Sequence, residues 1–133
     1  MTATTVYEGN LRCIAKHTKS GTIIETDAPT DNRGKGEKFS PTDLLCSSLA
    51  TCMLTTMGIK ASDMGVNING ATADVTKHML SDPRRVGQID VSVVLSADAD
   101  EKQKKMLENT GYTCPVAKSI HADIKLNIAY TWQ

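Results

Sequence analysis

The stretch LLCSSLATCMLTTMGI, residues 44–59, decides the fold, because it holds no charged residue while the other segments are amphipathic, polar or turn-like. Ser40 is a suitable helix N-cap, Pro41 suits the first helical position, and Asp43 stands where a capping box places its acid. A helix is therefore predicted to begin at Ser40. The uncharged run has 16 residues, fewer than the roughly 18 apolar residues of a membrane span. We interpret it as the core helix of a soluble protein, buried on all sides.

One face of this predicted helix carries a cysteine. Helical spacing groups the following residues on that face: Leu45, Leu49, Cys52, Met53 and Thr56. Cys52 is therefore predicted to point into apolar surroundings. Cys46 lies about 120° around the helix from Cys52, so we interpret it as a core residue.

Length, charge and cysteine content limit the classes of function. The chain has 133 residues with 15 basic and 15 acidic side chains, which predicts a single domain over residues 1–133 and disfavours nucleic acid or an anionic membrane as a partner. The N-terminus lacks the features of a secretory signal, so we expect a cytoplasmic protein. The four cysteines then favour free or redox-active thiols, and their spacing does not suit a zinc site. We expect neither a metal nor a bound organic cofactor.

The rest of the chain predicts an α+β fold. Strand-like runs at 11–17 and 22–26 form an N-terminal hairpin, and a mobile loop over 27–38 contains Arg33. Further elements are a strand over 66–80 with a bulge at Gly70, a strand over 86–97, an exposed helix over 98–109, a short helix from Pro115 and a last strand over 123–132. The predicted order is β-β-α-β-β-α-α-β.

Cys114 is a second reactive candidate because Pro115 follows it. The proline keeps Cys114 extended and starts a helix, so Cys114 is predicted to be its N-cap. A thiol there feels the positive end of the helix dipole, so we expect a lowered pKa. By contrast, we expect no role for Cys13, which is predicted in an edge strand. The three histidines, His17, His78 and His121, have polar neighbours and are interpreted as surface residues.

The motifs SPTDLL (40–45), LATCM (49–53) and TCPVAKSI (113–120) occur in an order that resembles the superfamily of osmotically inducible protein C and organic hydroperoxide resistance proteins, the OsmC/Ohr superfamily. The resemblance covers nearly the whole chain. It implies an OsmC-like fold and an intertwined homodimer, in which sheets from both chains wrap two central helices. Active sites would lie at the dimer interface.

The resemblance also implies a thiol-dependent peroxidase that reduces organic hydroperoxides. Cys52 would attack the peroxide and become a sulfenic acid, and Cys114 would resolve it as a Cys52–Cys114 disulfide. Arg33, in the loop before the helix, would be the family's arginine. An external dithiol would be the reductant. The apolar pocket would involve Leu45, Leu49 and Met53, with Thr42 at the helix start.

One position departs from the family pattern. Many peroxidase members have an acid directly after the proline of the helix opening, where it pairs with the arginine, but this chain has Thr42 there and Asp43 one residue later. Three alternatives stay open: Thr42 holds Arg33 more weakly, another acid such as Glu37 holds it, or activity is reduced. The alternative function is a non-enzymatic OsmC-like dimer that binds a small apolar ligand or senses oxidation.

Overall fold

Three strands near the N-terminus form an antiparallel sheet in the computed structural model, which describes residues 1–133. They are β1 (Ala3–Gly9), β2 (Arg12–His17) and β3 (Ile23–Asp27), paired in the order β1-β2-β3. The sequence predicted only the hairpin of β2 and β3. Because β1 is present, β2 is the central strand, and the expectation that Cys13 lies in an edge strand is wrong.

The chain divides into two compact units, Met1–Leu45 and Cys46–Gln133. The N-terminal unit contains the first sheet, the loop that follows it and the start of the long helix. The C-terminal unit contains the rest of that helix and all later elements. That these units form a single domain stays a prediction.

An ion cluster closes the loop of the N-terminal unit. Arg12 Nε lies 2.7 Å from Asp27 Oδ1, and Arg12 Nη2 lies 3.1 Å from Glu37 Oε2. The main chain adds a bond from Asp27 N–H to the Phe39 carbonyl at 3.1 Å. The two ends of the loop are thereby held together at the end of β3. The Arg12 guanidinium also holds the pKa of the buried Asp27 carboxyl below its usual range.

The long helix α1 (Pro41–Asp63) begins where the sequence predicted. Asp43 N–H donates to Ser40 Oγ at 3.0 Å, and Ser40 N–H donates to Asp43 Oδ2 at 2.9 Å, so the predicted capping box is confirmed. At the other end Gly65 has a φ of 69°. Its left-handed conformation lets Val66 N–H reach the Ala61 carbonyl at 2.8 Å, which ends the helix.

One side of α1 is buried and one side is exposed. The buried residues are Cys46, Leu49, Ala50, Met53, Met57 and Ala61. Thr51, Thr55 and Ile59, spaced four residues apart, are exposed, and Ile59 keeps 63% of its surface accessible. The expectation of burial on all sides is therefore wrong for this stripe. The burial of Cys46 confirms its interpretation as a core residue.

By length and composition alone, α1 is a candidate membrane span, since it has 23 residues and a mean hydropathy of 1.3 over its most apolar window. The core helix of a soluble protein meets the same criteria. Leu49, Met53 and Met57 are fully buried within the chain, as the side chains of a core helix are.

The second sheet lies in the C-terminal unit and consists of β4 (Thr72–Leu80), β5 (Arg85–Leu95) and β6 (Lys125–Trp132). Its order is β4-β5-β6, with β4 antiparallel and β6 parallel to β5. Alternate residues of β5 are buried, namely Ile89, Val91, Val93 and Leu95. β4 is shorter than predicted because residues 66–71 form a loop, and the irregularity in pairing lies between His78 and Met79 instead of at Gly70.

Two helices connect the parallel strands β5 and β6. They are α2 (Glu101–Gly111), which Asp100 caps through a capping box with Gln103, and α3 (Pro115–Ser119). The complete order is β-β-β-α-β-β-α-α-β. The α+β class is confirmed, with one strand more than the sequence predicted.

Candidate active site

The structure brings Cys52 and Cys114 together within the C-terminal unit. Cys52 lies in the middle of α1 next to its buried stripe and is partly exposed, whereas Cys114 is completely buried. Their side chains lie close enough for Cys52 to act on the pKa of Cys114, and both are free thiols. Two cysteines that are 62 positions apart in the sequence therefore face each other in the fold.

Cys114 is the N-cap of α3, as predicted, and its Sγ accepts a hydrogen bond from Ala117 N–H at 3.4 Å. The expected lowering of its pKa is wrong, however. Burial raises the pKa of the Cys114 thiol, and the neighbouring Cys52 side chain raises it further, while the Ala117 N–H opposes both. Burial prevails because the side chain has no contact with solvent and α3 is only five residues long.

A close-packed group lies around the end of α2, three residues before Cys114. A methyl group added at Gly111 would meet the Tyr130 hydroxyl, and it would lie 3.4 Å from both Met53 Cε and Met57 Sδ. The Tyr130 hydroxyl donates to the Glu108 carbonyl at 2.9 Å. Burial, the main cause, and its neighbours Tyr112, Glu108 and Cys114 raise the pKa of Tyr130. Tyr130 is therefore a neutral hydrogen-bond donor in the neighbourhood of Cys114.

Arg33 lies in the loop of the N-terminal unit and is exposed. It ends a short 3-10 turn (Thr30–Asn32) with a φ of 68°, a left-handed conformation that costs energy for a residue with a side chain. Gly34 follows it so closely packed that an added Cβ would overlap the Ala28 carbonyl oxygen. Glu37, the acid considered as a partner for Arg33, pairs with Arg12 instead.

The four residues predicted to bind substrate fall into two groups. Thr42 and Leu45 belong to the N-terminal unit and are partly exposed, and Thr42 Oγ1 lies 3.2 Å from Ser40 Oγ. Leu49 and Met53 belong to the C-terminal unit and are fully buried. The C-terminal unit thus contains part of the predicted site by itself, namely the cysteine pair, Leu49 and Met53.

Sequence reasoning missed Tyr130, Glu108 and Gly111. Tyr130 was expected only as part of the last strand over 123–132, and Gly111 lay just beyond the predicted helix over 98–109. No motif links these residues to Cys114. Their contact depends on how α2 packs against β6. The sequence pattern contains no information on that packing.

Comparisons with known proteins agree with this fold. The family model described as OsmC-like protein matches residues 34–129. A proposed osmotic stress induced and detoxification response protein from Psychrobacter arcticus 273-4 is 52% identical, with a TM-score of 0.95, and the match covers 98% of this chain and 96% of that one. No match was found among the curated proteins.

More distant solved structures share the fold. An OsmC-like protein from Mycoplasma pneumoniae is 21% identical, with a TM-score of 0.81 and coverage of 98% of this chain and 94% of that one. An organic hydroperoxide resistance protein from Elizabethkingia anophelis is 11% identical, with a TM-score of 0.77 and coverage of 100% and 97%. At these identities the likeness shows the architecture only.

Proposed function

The chain belongs to the OsmC-like protein family, and from this premise we propose that it is a thiol-dependent peroxidase that reduces organic hydroperoxides to alcohols. One observation carries the proposal. Cys52 and Cys114 are free thiols, lie close enough to affect each other's electrostatics, and are held by different elements of one compact unit. Two neighbouring free thiols are the starting point that a disulfide requires. Relatives named as organic hydroperoxide resistance proteins share the fold.

The proposed cycle has three balanced steps. The Cys52 thiolate attacks the outer peroxide oxygen, the O–O bond breaks, and the alkoxide takes a proton and leaves as the alcohol, so that Cys52 becomes a sulfenic acid. The Cys114 sulfur then attacks the Cys52 sulfur, which releases water and forms the disulfide. An external dithiol reduces this disulfide by thiol exchange, restores both thiols and leaves as its own disulfide. No metal or bound organic cofactor takes part.

The environments of the two cysteines support their separate roles. The thiolate is the attacking form, and burial raises the pKa of Cys114, so Cys114 is poorly suited to attack a peroxide first. Cys52 is partly exposed and accessible to a small substrate, whereas Cys114 is reached only from inside the protein. We therefore assign Cys52 as the peroxidatic cysteine and Cys114 as the resolving cysteine.

Arg33 is proposed to supply the positive charge for the thiolate and the peroxide oxygen. Its guanidinium is exposed, and the family model begins at the next residue, Gly34. Glu37 is engaged with Arg12, so the alternatives from the sequence are weaker holding by Thr42, a different acid, or reduced activity. We propose that Thr42, Leu45, Leu49 and Met53 contact the organic part of the substrate.

We propose that the protein acts as a cytoplasmic homodimer. Exposed apolar side chains in each unit support an interface: Ile59 on α1 in the C-terminal unit, and Val6, Tyr7, Ile23 and Ile24 on the sheet of the N-terminal unit. Exposed apolar residues that form a contiguous patch are typical of protein interfaces. The remaining partners are the hydroperoxide and the external dithiol.

The decisive experiment is peptide mapping under non-reducing conditions after one equivalent of cumene hydroperoxide is added to the reduced protein. We expect a Cys52–Cys114 disulfide that forms faster than it does with hydrogen peroxide. Cys13→Ser and Cys46→Ser are matched controls that should leave this disulfide unchanged, while Cys52→Ser should abolish turnover.

Slow oxidation of all four cysteines without preference would contradict a peroxidase. A Cys52 that stays unmodified while the peroxide remains intact would also contradict a peroxidase. Thr42 would then mark the loss of the family's activity. The non-enzymatic alternative, a dimer that binds a small apolar ligand, would be tested next by ligand screening.

A further inference from the structure

Two side chains of β6 donate hydrogen bonds to one residue of α2. The Tyr130 hydroxyl donates to the main-chain carbonyl of Glu108 at 2.9 Å, and Trp132 Nε1–H donates to Glu108 Oε1 at 2.9 Å. Tyr130 and Trp132 are two residues apart on a strand, so both side chains point to the same face. The last turn of α2 is therefore fixed to β6 at a single residue.

The Glu108 carbonyl is available because α2 ends at this point. Tyr112 N–H would continue the helical ladder to Glu108, but it donates to the Asn109 carbonyl at 3.2 Å. The last carbonyls of a helix need donors from outside it, and a buried carbonyl without one is costly. The Tyr130 hydroxyl supplies that donor and acts as a side-chain cap for α2.

The segment between this cap and Cys114 is short and well held. Gly111 fits against the Tyr130 hydroxyl and the two methionines of α1 without space for a methyl group. Thr113 N–H and Thr113 Oγ1 both donate to the Thr110 carbonyl, at 3.0 and 2.8 Å. Cys114 follows directly, so its position depends on where α2 ends.

We propose that Tyr130 is a positioning residue that holds Cys114 against Cys52 by capping the Glu108 carbonyl of α2. The inference rests on the proposed function, because it concerns the disulfide step of that cycle. Tyr130 itself does not contact the peroxide. Its hydroxyl limits the motion of the segment that carries Cys114, which raises the effective concentration of this thiol at Cys52.

The experiment measures the equilibrium of the Cys52–Cys114 disulfide in glutathione buffers, in a background with Cys13→Ser and Cys46→Ser. In this reaction the two protein thiols and one glutathione disulfide give the protein disulfide and two glutathione molecules. We expect Tyr130→Phe to lower the equilibrium constant about fivefold, because without the bond the segment that carries Cys114 samples more positions away from Cys52 and its effective concentration there falls. The matched control Tyr112→Phe, at an exposed tyrosine nearby, should leave the constant unchanged.

A second variant and a second readout keep the test sharp. Gly111→Ala, which would displace the Tyr130 hydroxyl, should lower the constant in the same way. After cumene hydroperoxide, Tyr130→Phe should leave more Cys52 sulfenic acid for trapping by dimedone, since resolution by Cys114 is slower.

The outcomes separate this inference from the proposed function. If the parent protein forms the disulfide but Tyr130→Phe keeps the same equilibrium constant, the inference is wrong even if the variant melts at a lower temperature. If the parent protein forms no Cys52–Cys114 disulfide in glutathione or peroxide, the proposed function and the inference are both wrong.

Discussion

Cys114 shows how two effects on one thiol compete. Its place before Pro115 makes it an N-cap that accepts a hydrogen bond from Ala117 N–H, which favours the thiolate. Its complete burial favours the neutral thiol, and burial is the larger effect. The Cys-Pro pair in the sequence indicates the cap but carries no information on the depth of burial. The pKa direction could therefore not be predicted from the sequence.

The raised pKa of Cys114 predicts a pH dependence of the disulfide step. The thiolate is the reacting form, and a raised pKa leaves less of it at neutral pH than an ordinary cysteine with a pKa of about 8.5 would have. The rate of Cys52 sulfenic acid resolution should therefore rise with pH and keep rising beyond the pH at which an ordinary thiol is ionised. Rapid-quench peptide mapping across a pH series measures this rate. A rate that levels off at neutral pH would contradict the assignment.

At the scale of elements, α1 was the most predictable part of the fold. Its start is set by three residues whose roles are evident from the sequence: Ser40, Pro41 and Asp43. The structure contains both bonds of the capping box. The end was less clear from the sequence, because α1 continues past the uncharged run to Asp63 and stops at the left-handed Gly65.

The cap predicts a stability effect. Ser40→Ala removes the acceptor for Asp43 N–H and should lower the free energy of unfolding by about 1 kcal/mol. Ser62→Ala, at an exposed serine near the other end of α1, is the matched control and should have little effect. Urea unfolding followed by far-UV circular dichroism measures both variants. Equal midpoints for the two would show that the cap does not stabilise the protein.

The elements that were not predicted from the sequence lack a strong local sequence pattern. Residues Ala3–Gly9 form β1, but six of these seven residues are exposed, so no alternation between apolar and polar side chains marks the strand. Residues 66–71 resemble the strand that follows them, yet Gly70 adopts a positive φ and the segment is a loop. Pairing with a neighbouring strand decides both cases, and this is not a local property.

The candidate site was predictable only in part for the same reason. Cys52 and Cys114 were identified as separate motifs, and their pairing followed from family resemblance, not from spacing. The contact of Tyr130 with Glu108 joins residues 22 positions apart on different elements. It could not be anticipated without the packing of α2 on β6.

For the whole molecule, exposed apolar residues are the main feature that the single chain leaves unexplained. On α1 the exposed apolar residue is Ile59, which lies in line with the exposed Thr51 and Thr55. In the first sheet, Tyr7 keeps 63% of its surface accessible and Ile23 keeps 58%. Side chains of this kind are stabilised when another apolar surface covers them.

The proposed homodimer can be tested by the mass of the protein and of two variants in solution. The protein should sediment as a dimer, and Ile59→Glu should weaken the dimer at least about tenfold, since a charge would have to be buried in an apolar interface. Thr72→Glu, which adds the same charge at an exposed residue of β4, is the control and should remain dimeric. Analytical ultracentrifugation over a range of concentrations measures this. A wild-type protein that is monomeric throughout would contradict the intertwined assembly.

Trp132 has one more consequence, because it is the only tryptophan in the chain. Its indole N–H is bound to Glu108, and the Lys104 ammonium lies 5.5 Å from the centre of its ring. The tryptophan fluorescence of the protein therefore comes from one site, beside the last turn of α2. In the proposed cycle, any movement of that turn as Cys114 forms its disulfide would change the charges around the indole. If the proposed disulfide forms, the tryptophan emission would report on it without an external label.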